Sequence, residues 1–458
     1  MTTKIALAHL ADSRDDFYLM RQPLVQRELG SLQWLVQECD VLESPVIRSN
    51  ADALAFSQQV HQSNATSLVI HLPVWADPIF SIKLMSHVNL PVMLAGNTKP
   101  DTSSIVGILG AGGALNQAGF SHVRLFDHET EKGRIKFRAF LRAADAVFNL
   151  KGKTLGLFGG RSLGISTAQA DVAQWNGLFG VDIEMFDQLE IVQVAEDLDA
   201  QEVERHFNWL VERVGGLKYE GIFNKEGLER QVRSYLATRI LMQRYGLDFL
   251  GVKCQPELSD GYVSQCVAHM LMNGDLDADG LKMPVVHACE SDADGALSMQ
   301  ILQLVSGGKP TALLDVRWFD QDNGLWSLAN CGALAASFYA TVGDPHGFSQ
   351  IKVMPHVFGL GGGGAFPALV APQKVTLIRL CRERGQYWMA ILSGDVEQVG
   401  QAALAKTTSA FPQAYVRTQA GLDFLERYGS NHIHMVSGNY VEEVIAFCNI
   451  LNIPWTLW

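Results

Sequence analysis

Pro284-Val-Val-His-Ala-Cys-Glu-Ser-Asp292 and Thr311-Ala-Leu-Leu-Asp-Val-Arg317 each carry a short apolar run into a carboxylate, Glu290 in the first and Asp315 in the second. Between them, Gly295-Ala-Leu-Ser-Met-Gln-Ile-Leu-Gln-Leu-Val305 spaces its apolar residues as a helix does. The segment predicts one strand-helix-strand crossover, with both carboxylates at the carboxyl ends of parallel strands. Open α/β sheets bind ligands at that edge. Two acids there suit a hard divalent cation or a proton-transfer pair. His432, near the C-terminus, is a third candidate ligand.

Outward from this segment the same texture repeats. Apolar runs at 5–10, 67–72, 91–96 and 106–110 alternate with helical stretches, and the charged stretch 132–142 closes that block as a helix. A second series runs through 153–160, 181–186, 249–253, 285–288 and 312–316. After about residue 325 the pattern changes. Val375-Thr-Leu-Ile-Arg-Leu-Cys and Tyr387-Trp-Met-Ala-Ile-Leu flank the short link Glu383-Arg-Gly-Gln, which predicts an antiparallel hairpin. The run Gly359-Leu-Gly-Gly-Gly-Gly364 is expected to be a mobile loop. The fold class is therefore α/β: two doubly wound parallel-sheet domains, 1–147 and 148–325, followed by a β-rich, barrel-like α+β domain, 326–458.

With 458 residues, 48% of them hydrophobic, the chain is long enough for two or three cores. A formal net charge of −12 argues against nucleic acid or an anionic membrane as partner. The N-terminal apolar run is interrupted by His9 and Asp12, too soon for a signal peptide or a membrane span. Seven scattered cysteines without a CxxC are expected to be reduced, mostly buried thiols of a cytoplasmic protein.

Gly159-Gly-Arg-Ser-Leu-Gly-Ile follows a strand, but it matches neither the dinucleotide fingerprint nor the phosphate-loop pattern. Its plainer role is a tight turn with Ser162 capping a helix. Asp292 and Asp294 are read as acids of a first helical turn, favoured there by the helix dipole.

Gly160-Arg-Ser-Leu-Gly-Ile, Gln174-Trp, and Phe179-Gly-Val-Asp-Ile-Glu-Met-Phe-Asp-Gln-Leu-Glu-Ile191 resemble the second domain of the L-fucose isomerase family. Phe223-Asn-Lys-Glu, Gly251-Val-Lys-Cys-Gln-Pro-Glu-Leu258, Ala288-Cys-Glu-Ser-Asp-Ala-Asp-Gly-Ala-Leu-Ser-Met299 and Asp315-Val-Arg extend the likeness. Asn431-His-Ile-His-Met-Val-Ser-Gly438 is similar to that family's terminal Asn-His segment.

The resemblance implies an aldose-ketose isomerase that uses a divalent metal, commonly Mn²⁺, assembles as a hexamer and binds a small sugar. It places the metal ligands on Glu290, Asp315 and His432, with the two carboxylates also as the catalytic pair. It assigns Gln255 and Asn431 to sugar hydroxyls and makes Arg161, Lys253 and Trp75 further substrate-binding candidates. Two oxygen ligands and an imidazole fit Mn²⁺ or Co²⁺, with Mg²⁺ a further option, better than a thiolate-selecting ion. Each residue also has a plainer role: Glu290 as a helix cap, Asp315 as a surface acid, and Arg161 or Lys253 as an ion-pair partner. His434, two residues beyond His432, shares its face if the segment is a strand.

Moving a carbonyl between C1 and C2 requires taking a proton beside it and returning one to the neighbouring carbon, so two carboxylates suit a cis-enediolate. L-fucose, D-arabinose, another deoxy or sulfonated hexose, or a pentose all meet that requirement. A metal-dependent sugar aldolase or lyase shares the chemistry, and a non-catalytic sugar sensor is a further alternative.

Overall fold

The computed structural model describes residues 3–340, 346–404, 406–407 and 410–458. They form two compact units. One comprises Met1–Asn149 with Glu442–Ile453, the other Leu150–Val441 with Pro454–Trp458.

The first unit is a five-stranded parallel sheet built from Lys4–Leu10, Asp40–Ile47, Ser67–Leu72, Val92–Gly96 and Val123–Phe126, in the spatial order 2-1-3-4-5. Side chains alternate across it. Ala6, Ala8, Leu68, Ile70 and Leu94 pack with Phe56, Val60, Ile108 and Leu115 on one face. Ile5, Leu7, Val69, Met93 and Leu125 pack with Phe137, Phe140 and Leu141 on the other, where Ile450 of the C-terminal helix also rests. Both faces are covered, which is why the three inner strands, Lys4–Leu10, Ser67–Leu72 and Val92–Gly96, read as continuous apolar runs, while the edge strands Asp40–Ile47 and Val123–Phe126 do not. The run 106–110, expected as a strand, lies inside the helix Ser104–Gln117. So short an apolar run carries no period of its own, and here Ile108, Ala111 and Leu115 make one helical face.

In the second unit a four-stranded parallel sheet has the order His287–Cys289, Phe249–Val252, Thr154–Phe158, Asp182–Phe186. Beside it, Lys374–Glu383, His432–Ser437, Thr311–Asp320, Leu325–Ala329, Gln413–Thr418 and Gln386–Val396 pair in that order, and the last pairs back with the first. All six of these pairings are antiparallel, so the sheet closes into a six-stranded barrel. Closure leaves the six strands no free edge among themselves, and Trp455–Leu457 adds a parallel strand along Gln386–Val396. Val316, Trp326, Leu328, Leu377, Leu392, Val416 and Ile433 fill the interior. The hairpin expected at Glu383-Arg-Gly-Gln is present, with Glu383 opposite Gln386. Arg384 and Gly385 both have positive φ, 50° and 80°, as a two-residue hairpin turn demands.

Two expectations fail here. Residues 312–316 do not complete a parallel crossover. The apolar run continues to Asp320, turns at Gly324 and pairs antiparallel with Leu325–Ala329. A local hairpin thus takes the strand into the barrel, and Asp315 lies in mid-strand rather than at a parallel strand's carboxyl end. The glycine run is also not a free loop. Gly361 N–H donates to Ser259 O at 2.8 Å and Gly364 N–H to Gln231 Oε1 at 2.9 Å. Gly362 holds φ 79°, and a Cβ there would meet Ile222 O at 2.6 Å.

Gly362→Ala is accordingly expected to cost about 1–3 kcal/mol. Gly30→Ala, at a helical site where a Cβ meets nothing within 4 Å, is expected to leave stability unchanged or slightly raised. Urea melts of the two variants check this, and equal midpoints would contradict the packed arrangement of the run.

Candidate active site

Glu290 follows the parallel strand His287–Cys289 and precedes the helix Ala293–Val305. The link is abrupt: Glu290 and Ser291 both have positive φ, 60° and 52°. Left-handed backbone at two successive non-glycine residues is unfavourable and persists only where surrounding contacts enforce it. Here Ser291 N–H donates to Val252 O at 3.1 Å and Asp292 N–H to Cys289 O at 3.2 Å. Asp292 then caps the helix, accepting from Gly295 N–H at 2.8 Å.

Asp315 and His432 come from the barrel. Their strands run antiparallel with Asp315 directly opposite His432. Ala312, Leu314, Ile433 and Met435 point into the core, so the alternation of a strand turns Asp315 and His432 to the outer face. His432 Nε2 lies 3.0 Å from Glu290 Oε2 and 3.6 Å from Asp315 Oδ1. The three sequence-predicted residues therefore meet at one ring nitrogen. Glu290 Oε2 is buried and faces the imidazole. Two carboxylate oxygens and one imidazole nitrogen form a donor set that fits a borderline-hard divalent cation.

The other nitrogen of His432 faces Asp292, Nδ1 to Oδ2 at 2.7 Å. Asp292 also accepts two bonds from Arg379, at 2.5 and 3.1 Å, and Arg379 donates to Thr167 O at 2.6 Å. All three side chains are buried, with exposures of 0–1%. Although burial opposes ionisation, the Arg379 charge, and then His432, hold the Asp292 carboxyl well below the usual carboxylate range. Burial pushes Asp315 up to about 6. Burial lowers His432, but the hydrogen bonds to Asp292 and Glu290 outweigh it and take the ring to about 10.

Asp292 thus does more than the expected first-turn acid. The sequence signal for its partner is Arg379, a charge inside the apolar strand Val375-Thr-Leu-Ile-Arg-Leu-Cys that must find a counter-charge if buried. Asp294 is buried in the same turn, bonded to Tyr387 OH at 2.8 Å and Trp175 Nε1 at 3.3 Å, and burial raises it to about 7.

His434 shares the outer face with His432 but plays a different part. It is fully buried with no hydrogen-bond partner on either nitrogen. Its Nε2 lies 2.7 Å from where a Cβ of Gly295 would stand, so the glycine gives it room. Burial holds it far below the ordinary histidine range.

The remaining candidates fall as follows. Lys253 is paired with Glu257 at 2.5 Å, the plainer of its two expected roles. Arg161 is exposed, with one long bond to Ser166 Oγ at 3.4 Å. Gln255 is half-buried in the loop after Phe249–Val252, and Asn431, exposed, precedes His432 while its carbonyl accepts from Val316 N–H. Ser162 caps no α-helix; its hydroxyl donates to Gln255 O at 3.2 Å, and Asp171 caps the helix that follows. Trp75 belongs to the first unit, half-buried in the loop after Ser67–Leu72. Cys254, Cys289 and Cys331 are half-buried rather than buried, as is Cys39.

Glu202, His206 and Asp279 form the one tight trio of ligand-type side chains found among the described residues, with donor atoms all within 4.8 Å. Arg205 and Arg239 already occupy it, at 2.5–2.7 Å from its carboxylates. It is an ion-pair network on the surface.

Residues 328–458 match the family model described as the L-fucose isomerase C-terminal domain. Over most of its length the chain is similar to two proteins named sulfoquinovose isomerase. One, from Alkalicoccus urumqiensis, is 23% identical over 89% of each chain, and the other, from Priestia aryabhattai, is 22% identical over 92% of this chain and 93% of that one. An L-fucose isomerase from Clostridium perfringens is 22% identical over 91% of this chain and 84% of its own. The likeness first seen in the motifs thus extends across most of the sequence.

His287, which opens the strand preceding Glu290, and His269 are both buried, and their rings meet edge to face at 5.6 Å. Burial lowers them to about 3 and about 4. Folded values below the unfolded 6.5 mean the unfolded chain binds more protons in between. Their contribution is fully present above pH 6.5 and is lost as the pH falls. Compared with wild type, a His269→Gln/His287→Gln chain is therefore expected to lose less of its urea midpoint between pH 7 and pH 5, a difference that separates these rings from the raised Asp294, Asp315 and His432; identical profiles would contradict neutral, buried rings.

Proposed function

We propose that this chain is an aldose-ketose isomerase that moves a carbonyl between C1 and C2 of an open-chain sugar through a cis-enediolate. The observation that carries this is the meeting of Glu290, Asp315 and His432, brought from a sheet-to-helix turn and two barrel strands to one ring nitrogen. The relatives, named for isomerising sulfoquinovose and L-fucose, support the same class of reaction.

Glu290 and Asp315 act as the acid/base pair: one removes the proton from the carbon beside the carbonyl, and the other serves the oxygen or carbon that receives one. Glu290 comes from a sheet-to-helix turn and Asp315 from a barrel strand, so the two carboxylates would reach the enediol from separate elements. Glu290, Asp315 and His432 would hold a divalent cation, Mn²⁺ by preference, with Co²⁺ or Mg²⁺ as substitutes. When bound, such an ion supplies positive charge that acidifies the proton next to the carbonyl and steadies the enediolate oxygens. Gln255 and Asn431 would bind sugar hydroxyls. Asn431 is held next to His432 by the bond from Val316 N–H to its carbonyl, at 2.9 Å. Distal-carbon specificity lies in the surrounding loops, and the relatives make a sulfonated hexose and L-fucose the first sugars to offer.

The test is a screen of sulfoquinovose, L-fucose and D-arabinose in D₂O with Mn²⁺, with EDTA controls, followed by NMR. Deuterium entering at C1 or C2, with an isomeric product of unchanged carbon number, is expected, and EDTA should abolish it. Glu290→Gln and Asp315→Asn are each expected to lower kcat by about 10²–10⁴-fold while leaving the melting profile intact. Cleavage to shorter products, or full activity in both variants, would overturn the assignment.

A further inference from the structure

We infer that Asp292 and Arg379 are positioning residues for His432, fixing which ring nitrogen faces the two carboxylates. The inference deepens the proposed function and rests on it for its catalytic meaning, but its geometry stands independently.

An imidazole on a strand can turn its ring over and exchange the places of its nitrogen and carbon edges. Nothing in the pairing of His432 with Asp315 prevents this, because register places the Cα atoms and not the ring. The bond at Nδ1 does. Both oxygens of Asp292 already accept from N–H groups of Arg379, and Oδ1 also from Gly295 N–H, so Asp292 meets the ring as an acceptor; Nδ1 donates to it and Nε2 is left directed at Glu290 Oε2 and Asp315 Oδ1. A carboxylate on the far nitrogen of a ligating histidine is the arrangement that orients such rings and raises their basicity.

Asp292 is itself immobilised from three sides: Gly295 N–H at the helix start, two N–H groups of Arg379, and His432. Arg379 is tied in turn to Thr167 O, in the loop after Thr154–Phe158 that also bears Arg161 and Ser162. A fully buried ion pair gains little stability over apolar side chains of the same volume, so folding alone does not call for one here. His434 supplies the internal contrast. It lies on the same strand and the same face, but neither of its nitrogens has a hydrogen-bond partner.

The test uses the full chain with Asp292→Asn, Arg379→Lys and the double variant Asp292→Asn/Arg379→Met. Asn still caps a helix, so the first variant removes the charge while keeping the cap. Free Mn²⁺ counted by electron paramagnetic resonance is expected to show affinity about 10–100-fold weaker in Asp292→Asn, with a smaller loss in Arg379→Lys, which keeps the charge. In metal-free protein with ¹⁵N-labelled histidine, a downfield, slowly exchanging Nδ1 proton on His432 is expected in wild type and absent in Asp292→Asn. Wild-type Mn²⁺ affinity together with a retained Nδ1 proton in a folded Asp292→Asn chain would overturn the inference. If that variant does not fold, the double variant, which leaves no buried charge unpaired, replaces it under the same criteria. If wild type binds no Mn²⁺, the metal part of the proposed function fails on its own, and the Nδ1 proton alone then decides the positioning role.

Discussion

A single buried carboxylate, Asp292, joins the parts from which the site is made. It ends the turn after one sheet, starts the helix Ala293–Val305, receives a buried arginine from the barrel strand Lys374–Glu383 and holds the ring of His432. Each of those contacts uses a lone pair that burial would otherwise leave unsatisfied at a cost of several kcal/mol. The carboxylate thus ties a helix start and two barrel strands together through one side chain.

Two different kinds of precision follow. Asp315 and His432 are placed by strand register, in which a slip of one residue would send both into the barrel core and bring Leu314 and Ile433 out. Burial of the apolar set thus enforces the position of the polar pair. Glu290 is placed by a turn instead. Its left-handed backbone, and that of Ser291, is held by the bonds from Ser291 to Val252 and from Asp292 to Cys289. Strain of this kind persists only because the surrounding sheet and helix enforce it.

Asp294 and His434 show how the same neighbourhood uses similar side chains for different ends. Asp294, with no cation bonded to it, rises to about 7 as burial dominates and serves as the anchor for Tyr387 and Trp175. His434 stays neutral against the space left by Gly295. Asp292 differs from Asp294, and His432 from His434, in being hydrogen-bonded directly to an oppositely charged partner.

Much of this was legible in the order of residues. The apolar runs at 5–10, 67–72 and 153–160 overlie the strands found there, because a strand buried on both faces must be apolar along its length, whereas Asp182–Phe186 is an edge strand with Asp182 and Glu184 exposed. The turn at Arg384-Gly385 marked its hairpin by the same local logic, and Glu290, Asp315 and His432 stood out through the motifs around them. Where local patterns were ambiguous the outcome depended on contacts distant in sequence. The run 106–110 became helical because its neighbours complete a helical face, and the glycines of 359–364 pack because backbone from 222 and 259–262 approaches them. Whether the run 311–320 would cross over in parallel or fold back in a hairpin was decided by which strands stood ready to pair with it. The roles of Asp292 and Arg379, 87 residues apart, have no local signature at all. Chain order specifies which side chains are available and where strands and helices can form; distances between charges, which determine protonation and ligand geometry, exist only once the chain has closed on itself.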